Sequence, residues 1–474
     1  MEPRSEEIVA GGAAEIAAKS AVGTTRERLG MLTLEDLKAG VAASTIDTIV
    51  VAFTDMQGRL LGKRLGARYF LDADVAHRGV EGCDYLLAVD MEMEPQQGYA
   101  MSSWDRGYGD FRMLPDMTTL RRLDWLEGTA MVLCDLAWHD GAPVVASPRQ
   151  ALRHQLSRAR SLGFEVMIGS ELEFYLFEET FSEARSQHYR SLTPSVPYVL
   201  DYHVLATTYA ESTIRDLRNH MERSGISVEC SKGEAAPGQH ELNLRYSHAL
   251  EMADNHTVYK NGAKEIAHHK GRAITFMAKP SNDLLGSSCH VHTSWWQDGH
   301  NAFASDANLF SMFIAGQIAC AEELALFFAP NVNSYKRYVA GSWAPTSLAW
   351  GHDNRTCGFR SVGEAEGLRL ESRIPGADAN PYLAFAAIIA AGLHGVENNL
   401  DPGPACTTNA YESAAKRFPA TLREAINRLE GSTMARNAFG DEVIDHYLNY
   451  ARIEQRLFDQ AVTCYERERL FERT

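Results

Sequence analysis

The 474-residue chain contains no uninterrupted apolar run of about 18 residues, so no membrane-spanning helix is predicted. It has no GxxxxGK[ST] loop and no GxGxxG turn, so any bound nucleotide must be held by other means. Its eight cysteines (Cys83, Cys134, Cys230, Cys289, Cys320, Cys357, Cys406 and Cys464) form no CxxC pair, which argues against a zinc site of that kind. Scattered thiols in a chain of this length predict reduced cysteines and a cytoplasmic protein. An excess of basic charge is also missing. The formal net charge of −16 disfavours nucleic acid and anionic membranes as partners. The acidic, Ala/Gly-rich start lacks the basic and apolar blocks of a signal peptide, and residues 1–28 read as a disordered tail.

Ordinary globular composition and ample length predict a large core and at least two domains. Residues 45–55, the turn Met56-Gln57-Gly58 and the stretch to Phe70 read as a hairpin. A further strand is predicted over 129–138. Between them, residues 81–111 show little periodicity and read as a long ordered loop. Beyond "SPRQALRHQLSRARSLG", strands are predicted at 164–177, 226–231, 239–246, 272–278 and 286–296. Helices are predicted at 211–223, 251–270, 306–328, 380–399, 419–429 and 441–468. A boundary near 140–147 thus divides a β-rich domain (29–142) from a larger α+β domain (143–474).

One predicted strand carries an anomaly. In "IGSELEFYLF" (168–177), Ile168, Ser170, Leu172, Phe174 and Leu176 share one face, and Gly169, Glu171, Glu173, Tyr175 and Phe177 the other. Two carboxylates roughly 7 Å apart repel by about 2 kcal/mol at an effective dielectric of 20. Taken alone, the pattern fits an edge strand with one wet face as well as a functional pair. Three other stretches repeat the oddity. "KGEAAPGQHEL" places Glu234 and Glu241 around a Pro-Gly turn, "GSSCHVH" places His290 and His292 on one strand face, and Glu371 alternates between Arg369 and Arg373. Each alone could be a solvated turn, a buried polar pair or a salt bridge. Together, five glutamates and a histidine suit hard divalent cations such as Mg²⁺ or Mn²⁺, which would cancel the repulsion. Arg337, Arg355, Arg360, Arg369 and Arg373 add guanidinium forks suited to phosphate and carboxylate groups.

In order and spacing, Glu-x-Glu, the E-x6-E segment ending "GQHE", "GSSCHVH", "DNRTCGFR" and "ESRIPGADANPYLAF" resemble the type I glutamine synthetase family over roughly residues 40–470. The resemblance implies an α+β protein: a small N-terminal β-grasp domain, and a catalytic domain whose antiparallel, funnel-shaped sheet is flanked by helices. It also implies a homo-oligomer, a dodecamer of two stacked hexamers, with active sites shared between neighbours. Two to three Mg²⁺ or Mn²⁺ ions per site and ATP as co-substrate are expected. Carried over by position, Glu173, Glu234 and Glu241 would hold one ion, and Glu171, His290 and Glu371 another. His292, Ser294, Arg360 and Arg369 would lie by ATP, and Gly286, Arg337 and Arg355 by L-glutamate. Arg373 would face the transferred phosphate. The implied chemistry is activation of the glutamate γ-carboxylate as an acyl phosphate, followed by attack of an amine.

The chain departs from true glutamine synthetases where those bind ammonium. The acidic loop reads "EGCDYLLAVD", with Asp84 at the acidic position and Tyr85-Leu86-Leu87 replacing small polar residues. Trp343 aligns with the flap glutamate, and Leu285 stands where Asn is usual. These changes resemble γ-glutamylamide synthetases, especially the actinobacterial γ-glutamylethanolamide and γ-glutamylpolyamine branch. Asp84, Tyr85 and Trp343 are then the expected amine pocket, with Asp84 and Arg373 in catalytic roles, and ethanolamine the favoured amine. The alternatives are polyamines such as putrescine, spermidine and spermine, then ammonium, then a non-catalytic relative. Tyr411, at a position adenylylated in some members, lacks acidic neighbours and reads as an ordinary exposed tyrosine.

Overall fold

The computed structural model describes residues 28–199 and 201–474. Apart from Arg28, the tail expected over 1–28 lies outside the described residues, as does the reading that no signal peptide is present.

Among the described residues the strands form two sheets. The first has six strands: β1 (Thr48–Thr54), β2 (Leu60–Gly66), β3 (Val80–Cys83), β4 (Asp110–Pro115), β5 (Arg121–Arg122) and β6 (Thr129–Ala137). β1 and β2 form the predicted antiparallel hairpin, from Thr48 opposite Gly66 to Thr54 opposite Leu60. β1 also runs parallel to β6. The alternation of Ile49, Val51 and Phe53 fills a core with Phe70, Leu87, Phe111 and Leu136. The segment 81–111 is less loop-like than its composition predicts. It completes β3, enters β4 and contains two short 3₁₀ turns, Asp84–Leu87 and Trp104–Arg106. Cross-strand pairing, which has no local periodicity, decides this.

The second sheet is nearly closed and barrel-like. It is built from β7 (Glu165–Phe177), β8 (Val228–Gly233), β9 (Gln239–His248), β10 (Ala273–Thr275), β11 (Cys289–Gln297), β12 (His300–Asn301), β13 (Trp350–His352), β14 (Phe359–Val362) and β15 (Arg369–Ser372). The order along the main path is β13-β14-β15-β11-β7-β9-β8. β7 lies between β9 and β11, so the strand carrying Glu171 and Glu173 is interior, and the edge-strand reading falls. The pairings are antiparallel except β13 with β14.

Ser170, Leu172, Phe174 and Leu176 turn into the main core, which the helices cover. The helix Pro381–Glu397 is apolar nearly all round and buried accordingly. It meets the helix Ala307–Cys320 so closely that a Cβ on Gly316 would lie 2.0 Å from the Ala391 carbonyl oxygen. Its cap ties the two sheets together. The Asn380 side-chain oxygen accepts from the Tyr382 amide, and its nitrogen donates to the Asp55 and Met56 carbonyls in the hairpin turn, each at 3.1 Å. Buried Arg149 adds a second tie, reaching Asp116 and Asp135 on one side and Asp254 on the other.

Two predicted helices are interrupted. That over 306–328 ends at Cys320 and resumes over Ala325–Phe328. That over 441–468 ends at Gln460, and a capping box between Thr463 and Glu466 starts a separate helix, Cys464–Leu470.

Candidate active site

The register of five strands carries the predicted residues to one face. Glu241 on β9 pairs with Glu173 on β7. Glu171 on β7 pairs with His290 on β11, and His292 on β11 with Glu371 on β15. Glu371 in turn pairs with Arg360 on β14. All of this row except Glu371 floors a cavity of about 1200 Å³ that Glu234, Gly286, Arg337, Trp343, Arg355, Arg369 and Arg373 also line.

The floor has two differently charged halves. On one side Glu173 is buried, accepting from the Ser288 amide (2.8 Å) and hydroxyl (2.5 Å). Burial, reinforced by Glu234, nevertheless pushes its carboxyl up to about 7. Glu241 is pushed well above the ordinary range by burial and Glu234, against the pull of Lys232. Glu173, Glu241 and His290 each offer a ligand atom, all within 4.8 Å of one another. Glu234 is outside that group; its carboxylate is bonded to the Lys232 ammonium.

On the other side Glu171, His290 and Glu371 form a second such group. Burial opposes ionisation of Glu171, but bonds from His290 and His292 outweigh it and hold the carboxyl well below its usual value. Glu371 behaves alike: burial raises it, His290 and Arg373 prevail, and it falls to about 2. Arg360 and Arg373 clamp its two oxygens at 2.9 and 2.7 Å. His290 is lowered to about 4 by burial and by Arg373, so its imidazole is neutral near pH 7. His292 is fixed between neighbours: Arg369 Nε donates to its Nδ1 (3.1 Å), leaving Nε2–H to donate to Glu171 (2.8 Å). The donor chemistry fits divalent cations: carboxylate oxygens, one neutral imidazole, and a half in which three glutamates face the single ammonium of Lys232.

Other predicted residues are placed less directly. Ser294 follows His290 and His292 on β11 but does not line the cavity; its hydroxyl accepts from the Trp296 indole at 2.9 Å. Arg337 is buried, with both terminal nitrogens committed to the Ile374 and Arg373 carbonyls and only Nε unpartnered. Gly286 makes room for it, since a Cβ there would lie 2.5 Å from Arg337 Cγ. Trp343, 57% exposed and at φ 65°, overhangs the cavity. Asp84 and Tyr85 do not line it. Asp84 is buried in the first sheet's domain, one oxygen taken by the Ser102 hydroxyl (2.5 Å) and the other by the Gly109 amide (2.9 Å). Leu87, one of the three residues replacing the small polar ones, is part of that domain's own core. Tyr411 is half-buried rather than exposed, its hydroxyl donating to the Ala344 carbonyl at 3.1 Å. Sequence reasoning missed Lys232 and Ser288, although both lie within motifs it used.

Comparison with known proteins agrees with this geometry. The model of the glutamine synthetase catalytic domain matches residues 145–470. The γ-glutamylethanolamide synthetase GlnA4 of Streptomyces coelicolor is 53% identical over 451 residues, covering 94% of this chain and 97% of that protein. A glutamate–isopropylamine ligase of a Pseudomonas species is 38% identical over 413 residues, covering 85% and 90%. Among solved structures, a GmaS/ADP complex has a TM-score of 0.79 at 29% identity, covering 92% of this chain and 99% of that one. On these matches the chain belongs to the glutamine synthetase family.

Proposed function

We propose that this protein is an ATP-dependent ligase that joins the γ-carboxylate of L-glutamate to an organic amine, with ethanolamine favoured. The observation that carries the reading is one cavity combining the acidic row, the arginines and an indole where ammonium-using relatives have a carboxylate. The high identity to a γ-glutamylethanolamide synthetase supports the choice of amine.

In this reading residues 29–142 form the β-grasp domain and 143–474 the catalytic domain. Glu173, Glu234 and Glu241 hold one divalent ion, and Glu171, His290 and Glu371 the other. When bound, Mg²⁺ or Mn²⁺ supplies Lewis-acid stabilisation of charge on the phosphoryl oxygens. Arg360 and Arg369 receive the ATP phosphates beside His292. Arg355 receives glutamate, while Arg337 acts mainly by bracing the strand end that carries Arg373. A γ-carboxylate oxygen of glutamate attacks the terminal phosphorus of ATP and ADP leaves. Arg373, held on Glu371 with its Nε unpartnered, faces that transfer. The amine nitrogen then attacks the acyl carbon, phosphate departs with the bonding pair, and the amine loses a proton. Since the free amine attacks, the rate rises from about pH 7 toward the pKa of the amine.

Asp84, spent on Ser102 and Gly109, serves as a positioning residue that shapes the loop beside Tyr85. That loop completes the site of a neighbouring subunit in a dodecamer of two stacked hexamers. The deciding experiment is phosphate release from ATP and glutamate across ammonium, ethanolamine, methylamine, putrescine and spermine. A preference for ethanolamine is expected. Preference for spermine would indicate a polyamine enzyme, equal use of ammonium a glutamine synthetase, and no release with any amine a non-catalytic relative.

A further inference from the structure

Lys232 has no part in the reaction as described, yet its ammonium sits inside the acidic half of the cavity floor. The strand register puts it there. Lys232 on β8 pairs with Glu241 on β9, which pairs with Glu173 on β7, so the three stand in one row across the sheet. Its Nζ is bonded to Glu234 and lies 3.7 Å from a Glu241 oxygen. A second seat is adjacent: the same nitrogen is 4.6 Å from the centre of the Tyr202 ring, whose side chain borders the cavity.

We propose that Lys232 is a built-in counter-ion that holds Glu234 aside and competes with a divalent cation for the Glu173–Glu234–Glu241 centre. The inference rests on the reading of those glutamates as metal ligands. Three carboxylates this close repel one another, and Lys232 bonds into the group as a cation. An entering dication takes the place of the ammonium and repels it. The flexible lysine stem lets Nζ withdraw to the Tyr202 face, where a cation–π contact receives it. A guanidinium would grip two carboxylate oxygens at once and leave less readily. Lys232 thus offsets the mutual repulsion of the glutamates and weakens their hold on metal. It is a positioning residue.

The test is titration of the full-length, nucleotide-free protein with Mn²⁺, following free Mn²⁺ by electron paramagnetic resonance. Lys232→Met should tighten binding by about tenfold, because one positive charge next to the dication is removed. Lys232→Arg should bind no tighter than wild type. Unchanged or weaker binding by Lys232→Met overturns the proposal. Lys232→Gln carries the same expectation should the Met variant not fold. Thermal melts separate this role from simple packing: Lys232→Met should melt lower than wild type without metal and no lower with saturating Mn²⁺, whereas lowering in both states overturns the proposal. Glu173→Gln is measured in parallel. If it binds Mn²⁺ as wild type does, the ligand reading and the Lys232 proposal both fall. If it weakens binding while Lys232→Met changes nothing, only the Lys232 proposal falls.

Discussion

Glu171 and Glu173 are the same residue type, two positions apart on one strand and facing one cavity, yet their carboxyls are driven in opposite directions. Both are penalised by burial. Glu171 has two imidazoles within reach, whereas the charged neighbour that acts most on Glu173 is another carboxylate, Glu234. The difference lies in what comes alongside β7: Glu234 from the turn between β8 and β9 on one side, histidines from β11 on the other. One half of the floor is therefore hydrogen-bonded by histidines and charge-balanced by arginines, and the other is left short of positive charge.

The largest test of this contrast removes a carboxylate outright. Glu173→Ala should abolish ATP turnover in Mg²⁺, a loss of about 10³-fold or more, while circular dichroism shows the fold intact. Glu171→Ala should be equally inactive, so near-normal phosphate release from either variant breaks the ligand assignment.

Ion-free stability sharpens the contrast, because the two halves respond to pH with opposite signs. Glu173 titrates near 7 in the folded chain instead of its ordinary 4.5. Between those values the folded state binds more protons than the unfolded one, so stability falls as pH rises through that window. The loss is about 3 kcal/mol, and Glu173→Gln should remove it. Glu371, lowered to about 2, contributes stability above pH 4.5 that is lost as pH falls toward 2. Chelated protein melted between pH 4.5 and 8 tests the first limb, and saturating Mn²⁺ should flatten it.

The rim contrasts with the floor in a smaller way. Burying a two-carbon unit against Trp343 is worth roughly 1–2 kcal/mol, so kcat/KM for ethanolamine should exceed that for ammonium by about five- to thirtyfold. Trp343→Glu should narrow the gap by restoring an acidic flap. An ammonium rate matching every alkylamine in the wild type would remove the indole from any role in selection.

The smallest expected signal is complementation. Inactive Asp84→Ala chains mixed with inactive Glu171→Ala chains should regain a minor fraction of activity after subunit exchange, because hybrid interfaces unite two intact halves. Verified exchange with no recovery would place Asp84 outside any shared site.

The catalytic row was legible in the chain to the extent that it depends on local period. Alternation along 168–177 put Glu171 and Glu173 on one face, and spacing did the same for His290 and His292. The Pro-Gly turn foretold that Glu234 and Glu241 would come near each other, but not that Lys232 would claim Glu234. Asp84 was read as a free carboxylate facing an amine, because its two partners are 18 and 25 residues away and carry no motif. Arg337 was read as substrate-facing, whereas its fork is occupied by main-chain carbonyls 36 and 37 residues along.

By itself the sequence determined which chemical groups exist, their order, and which face of each strand they share, since side-chain alternation is a property of the local backbone. Tertiary structure alone decided which groups meet. His290 reaches Glu171 across 119 residues of chain, and β13 joins the sheet parallel to β14 in an otherwise antiparallel set. Electrostatic character follows from those meetings. A glutamate's charge state depends on whether its neighbour is an imidazole or another carboxylate, and on how much water is excluded, neither of which its own segment encodes.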